Sequence, residues 1–217
     1  MSTDVYAAQP LVSHIVQTKN SDNFVLSFEA SNLDRSHAFV YNYSSPKTQD
    51  WILNIEDNLT YVPRDGSKTI IRLHEPAPSD KFIEVAIYGD QTREFWVAVN
   101  SIDTGYTRVV DQKPDGWSTE GPISVGYEAA QGLSVTDGKR IVIDRMNLNG
   151  FVLGSISVFG KDNSTAPANT YGGTMSFNLD FGNPADSPLF YYPVAITVGV
   201  IAVIGGLLVV KKRRADD

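Results

Sequence analysis

Apolar residues recur at every second position through most of the chain, and short polar turns break the pattern. That period predicts strands, and no stretch before residue 189 shows the spacing of a long amphipathic helix. Phe24, Leu26 and Phe28 share one face of residues 23–29, and Phe39, Tyr41 and Tyr43 one face of 37–43. Shorter apolar runs follow at 51–55 and 68–74. Residues 81–88 and 92–100 flank Gly89-Asp90-Gln91, with Ile83, Val85 and Ile87 facing inward beside Phe95, Val97 and Val99, which reads as a hairpin. The pattern continues at 106–110, 123–127, 133–135 and 140–145, then at 150–160 with Gly154 at a bulge or bend. In the last strand Met175, Phe177, Leu179 and Phe181 alternate with Thr174, Ser176, Asn178 and Asp180. Asp65-Gly66, Asp115-Gly116 and Asp137-Gly138 mark tight turns.

About 11 to 13 such strands imply an all-β fold, a β-sandwich of immunoglobulin-like or jelly-roll type. It is expected to occupy residues 9–182. Residues 112–122, with two prolines, two glycines and Trp117, read either as a loop over one edge or as a linker between two subdomains. The regular last strand needs more partners than 123–160 supply, which favours a single sandwich.

The pattern changes at residue 189. Residues 189–210 are uncharged and 22 long, and Lys211, Lys212, Arg213 and Arg214 end them. As a helix this length reaches roughly 33 Å, enough to span a bilayer. Phe190, Tyr191 and Tyr192 stand where an interfacial aromatic belt belongs. The expectation is one C-terminal transmembrane α-helix, preceded by a proline-containing stalk at 183–188 and followed by a basic tail at 211–217. Basic flanks mark the cytoplasmic side, so the N-terminal domain is expected outside the cytoplasm. Ala195, Gly199, Ala202 and Gly206 lie on one face of that helix and are candidates for helix–helix contact. Residues 1–8 carry a Val5-Tyr6-Ala7 small-x-small pattern and read as the remnant of a signal peptide. A spacer, an apolar helix and a basic tail also describe a sorting signal that is cut after export.

Composition narrows the chemistry. The tail holds four of the 18 basic residues and two of the 25 acidic ones, which leaves 14 bases against 23 acids elsewhere. That balance argues against nucleic acid as a partner. The absence of cysteine means that an exported domain relies on its core rather than on disulfides. Asn42, Asn58 and Asn163 each begin a glycosylation sequon. His14, His37 and His74 are far apart and form no metal-ligand spacing, and the aspartates at 57, 65 and 90 match no EF-hand loop. No cofactor, metal or catalytic residue is therefore assigned. Glu84, flanked by inward residues, is expected on the solvent face, where charge is ordinary. Trp96, Trp117 and Tyr88 are the candidate binding aromatics.

An outward-displayed sandwich, stalk, single span and basic stop resemble, in architecture, the C-terminally anchored surface proteins of archaea and bacteria. The layout implies a non-catalytic, membrane-anchored surface protein. Its β domain would bind or adhere to a protein or glycan outside the cell, or serve as an accessory subunit of a membrane complex, with homo-oligomerisation open. A membrane-tethered hydrolase acting on extracellular glycans is the alternative.

Overall fold

A computed structural model describes residues 12–17, 21–27, 30–89, 91–112 and 114–182. Residues 1–8, the stalk, the span with its aromatic and small-residue stripe, and the basic tail lie outside the described residues. No helix among the described residues is long and apolar enough to cross a membrane.

Among the described residues thirteen strands form two antiparallel sheets. They are β1 (Val12–Gln17), β2 (Ser21–Ser27), β3 (Phe39–Lys47), β4 (Trp51–Tyr61), β5 (Lys68–His74), β6 (Phe82–Tyr88), β7 (Phe95–Ser101), β8 (Gly105–Gln112), β9 (Ile123–Glu128), β10 (Gly132–Asp137), β11 (Ile141–Met146), β12 (Leu153–Phe159) and β13 (Thr170–Phe181). One sheet has seven strands in the order β1-β2-β13-β4-β9-β10-β11, and the other has six in the order β3-β12-β5-β6-β7-β8. β8 and β9 lie in different sheets, so residues 112–122 cross from one to the other inside a single compact unit, Met1–Gly182.

Alternation accounts for the layers. Phe177, Met175 and Leu179 of β13 are buried, and Phe181 packs partly buried at the strand's end. Phe177 stacks on Phe24 of β2 at 4.7 Å, and Phe24 stacks across the sandwich on Tyr41 of β3 at 4.2 Å. In the β6–β7 hairpin Ile83, Val85 and Ile87 pair with Val99, Val97 and Phe95, and all six are buried. Gly154 marks a register shift between β12 and β3, and a Cβ there would press on Pro76.

Three features differ from the sequence expectation. β1 carries no clean alternation and was not expected. β4 extends to Tyr61, six residues past the apolar run, because β13 pairs with it along its whole length while β9 pairs only with 51–55. Glu84 does face outward, yet it is 1% exposed rather than solvated.

Candidate functional site

The outer face of the six-stranded sheet is built by the residues between the core positions. On β6 these are Phe82, Glu84, Ala86 and Tyr88. Register carries the same face across neighbouring strands, which lie about 4.8 Å apart. Tyr106 of β8, Asn100 of β7, Phe82 of β6, His74 of β5 and Ser155 of β12 fall in one row. Asn42 of β3 continues it at the far edge. The next row holds Arg108, Ala98, Glu84, Arg72 and Ser157.

Glu84 holds this face together. It forms an ion pair with Arg72 Nε, and its Oε1 accepts a hydrogen bond from the Tyr106 hydroxyl at 2.9 Å. Breaking such a buried pair leaves an uncompensated charge, so the two side chains are fixed in place. The Arg72 guanidinium also lies 4.4 Å from the Phe82 ring centroid and 5.2 Å from that of Phe159. Phe82 in turn touches Tyr106 at 6.2 Å and His74 at 5.9 Å between ring centroids. Partial burial and the hydrogen bond to Glu84 push the Tyr106 hydroxyl up to about 12, so it stays a proton donor. Burial and the neighbouring Arg72 charge hold His74 below its ordinary value, against an opposing pull from Glu84. Its ring is therefore neutral near pH 7, with Nε2 at 2.8 Å from Ser157 Oγ.

The candidate aromatics gather near the other end of this sheet. Trp96 Nε1 donates to the Tyr88 hydroxyl at 3.5 Å, and Arg108 stands 4.6 Å over the indole. Trp96 packs with Ile70, Ala86, Ala98 and Phe159 in a small apolar cluster on the outer face. Trp117 Nε1 donates to the Tyr88 carbonyl at 2.8 Å, joining the 112–122 crossover to β6. Both indoles are less than a tenth exposed, whereas Tyr106 is 50% exposed. Ring surface on this face is thus open at Tyr106, with Phe82 and Tyr88 both half-buried; of these three the sequence pointed only to Tyr88. The alignment of Tyr106 with Phe82 depends on the register of three strands, β6, β7 and β8.

Trp117 also borders a cleft of about 390 Å³. It opens where β9 begins late, between Glu56, Asp57 and Asn58 of β4 and the crossover residues, Glu120 among them. The crossover is held open by Ser118 N donating to the Asp137 carbonyl and by Lys139 pairing with Glu120 at 2.7 Å. Gly138, with φ of 90°, forms the turn beneath it, and a Cβ there would collide with the Ser118 carbonyl. Burial pushes the Asp57 carboxyl up to about 6, against hydrogen bonds from the Tyr61 hydroxyl at 2.6 Å and Leu59 N at 3.0 Å.

The sequon asparagines Asn42, Asn58 and Asn163 are exposed. Among the described residues no three His, Asp or Glu side chains come together as a metal site; Asp90 lies outside them.

No protein-family profile matches the chain, and no curated protein matches it in sequence. Solved structures do overlap with it. An immunostimulatory antigen and pseudo β-1,3-glucanase of Mycobacterium tuberculosis aligns at a TM-score of 0.45 and 14% identity, over 76% of this chain and 79% of that one. A native glycosidic hydrolase aligns at 0.42 and 9%, over 77% and 80%. The carbohydrate recognition domain of Emp47p aligns at 0.35 and 8%, over 80% and 86%. The chemistry of the present chain rests on its own residues.

Proposed function

We propose that the protein is a non-catalytic, membrane-anchored surface protein whose sandwich binds glycan chains on the outer face of its six-stranded sheet. The observation that carries this reading is the row Tyr106–Asn100–Phe82–His74–Ser155. A sugar ring has an apolar C–H face and a rim of hydroxyls. Aromatic faces, which carry partial negative charge, accept the C–H face, and interleaved amide, imidazole and hydroxyl groups meet the rim. The row supplies both in alternation. The Arg72–Glu84 pair in the adjoining row holds the Tyr106 hydroxyl and packs on the Phe82 ring before ligand arrives, which lowers the ordering cost of binding. The uncharged 189–210 segment and its basic stop support anchoring, with the sandwich outside and the C-terminus in the cytoplasm.

The second reading, a tethered glycan hydrolase, is favoured by one observation. Asp57, with its raised proton affinity, and Glu120 line the same cleft, and glycoside hydrolysis uses two carboxyl groups. Binding is preferred because both Asp57 oxygens are engaged by Tyr61 and Leu59, and Glu120 is paired with Lys139.

The test is retention of the detergent-purified full chain in gels cast with different polysaccharides, together with a reducing-sugar assay. Retention by at least one glycan without sugar release supports the binding reading. Release that disappears in Asp57→Asn replaces it with the hydrolase, and a chain retained by no polysaccharide contradicts both.

A further inference from the structure

The fold treats the sequons at Asn42, Asn58 and Asn163 differently. Asn42 lies in β3 opposite Ser155 of β12, and Asn58 lies in β4 opposite Thr174 of β13. An enzyme that takes either asparagine into its own active site must first peel a strand from its neighbour. Asn163 lies in no strand. It sits with Ser164 and Thr165 in the connection between β12 and β13, and all three residues are exposed.

This loop is held at both ends, which presents its tip. At its start Gly160 N and Lys161 N both donate to the Leu33 carbonyl at 3.0 Å, and Lys68 pairs with Asp162 at 2.9 Å. At its end Arg64 donates to the Pro167 and Ala168 carbonyls and to Asn169 Oδ1. At the tip, Asn163 Oδ1 accepts from Thr165 N at 3.1 Å, Ala166 N at 3.0 Å and the Thr165 hydroxyl at 2.7 Å. A backbone N–H can only donate, so these contacts fix which edge of the carboxamide carries the oxygen. Nδ2 is the other edge, on an exposed side chain. The turn closes with its two backbone donors alone, so folding of the loop does not require a hydroxyl at 165. That hydroxyl completes the Asn-x-Ser/Thr sequon. By donating to Oδ1 it also favours the form of the amide in which Nδ2 has given up a proton.

We propose that Asn163 is the N-glycosylation site of the folded domain, taking an oligosaccharide from a lipid-linked phosphate donor. In the transfer a bond forms between Nδ2 and the anomeric carbon of the sugar. The bond from that carbon to the donor's phosphate oxygen breaks, the lipid phosphate leaves, and one Nδ2 proton is released. Such transfer takes place outside the cytoplasm, so the inference rests on the reading that the sandwich is displayed there, and not on the glycan-binding row. The position leaves that row open. Asn42 continues the row beyond Ser155, so a glycan there would cover it, whereas Asn163 follows Phe159, the end of β12 away from Ser155.

The test is peptide mapping of the full chain isolated from its native membrane, with protease digestion of intact cells run alongside. The natural chain is compared with Asn163→Gln, Thr165→Ala and Thr165→Ser, each checked by its melting curve. The Asn163 peptide is expected to carry a glycan, and the Asn42 and Asn58 peptides about tenfold less or none, because opening of a paired strand is rare. Asn163→Gln and Thr165→Ala should lose the modification, while Thr165→Ser, which keeps the hydroxyl, retains it. A bare Asn163 peptide from a sandwich that protease removes from intact cells refutes the inference and leaves the external domain standing. A bare peptide from a protected sandwich refutes both. Glycan on Asn42 or Asn58 at an occupancy equal to that of Asn163 refutes the choice of site, and glycan that survives Thr165→Ala refutes the sequon as its cause. Glycan on Asn163 in a chain retained by no polysaccharide upholds this site and removes the glycan-binding reading.

Discussion

At single residues, burial decides what each side chain does. Phe177 is 1% exposed and stacked on Phe24, so Phe177→Ala should cost about 3–5 kcal/mol in denaturant unfolding. A loss below about 1 kcal/mol would mean that the ring is not in the core. Asp57 yields a pH prediction. Its carboxyl binds a proton more tightly in the folded chain, at about 6, than at the 3.8 of an unperturbed aspartate. The folded state is therefore favoured below about pH 4, and that advantage is lost as pH rises through about 6, worth roughly 3 kcal/mol. Asp57→Asn should flatten the fall in stability between those values, as read from urea midpoints. An identical fall in both proteins would contradict the burial of Asp57. For Glu84 the alternation of Ile83 and Val85 disclosed the face correctly but not the cover. Period two says which way a side chain points, and only Arg72, 12 residues away, and Tyr106, 22 residues away, explain why it is dry.

Among elements, the hairpin β6–β7 and the buried face of β13 were legible because both alternate strictly. β1 was not, because Val12-Ser13-His14-Ile15-Val16-Gln17 mixes apolar and polar groups on each face. The second half of β4, Glu56 to Tyr61, reads as a loop from its polarity, and it is a strand only because β13 runs alongside. The proposed binding row was the least legible, since it draws on five strands whose register no local pattern reveals. β13 also shows how its end is secured. Lys47 of β3 pairs with Asp22 at 3.1 Å and lies 3.9 Å from the Phe181 ring centroid and 5.4 Å from that of Tyr43. Lys47→Ala should accelerate amide hydrogen exchange at 178–181 while leaving 174–177 protected. Equal acceleration along β13 would mean that the clamp supports the whole strand, and none would mean that it supports nothing.

For the whole molecule, the charge pattern at the C-terminus supports the proposed topology, and the outer face of the six-stranded sheet supports the proposed ligand chemistry. If the sandwich is displayed outside, protease added to intact cells should remove it and spare a tail fragment containing Lys211, Lys212, Arg213 and Arg214. Digestion only after lysis would reverse that orientation. The central claim is that Tyr106, Asn100, Phe82 and His74 meet a glycan, and the most direct measurement is calorimetric titration with the best-retained oligosaccharide. The full chain, Phe82→Ala and a Tyr171→Ala control are compared, Tyr171 being 72% exposed and outside the row. The account predicts that Phe82→Ala weakens affinity at least tenfold, about 1.4 kcal/mol, while Tyr171→Ala matches the natural chain. Equal affinity for all three proteins, each folded by its melting curve, would contradict it.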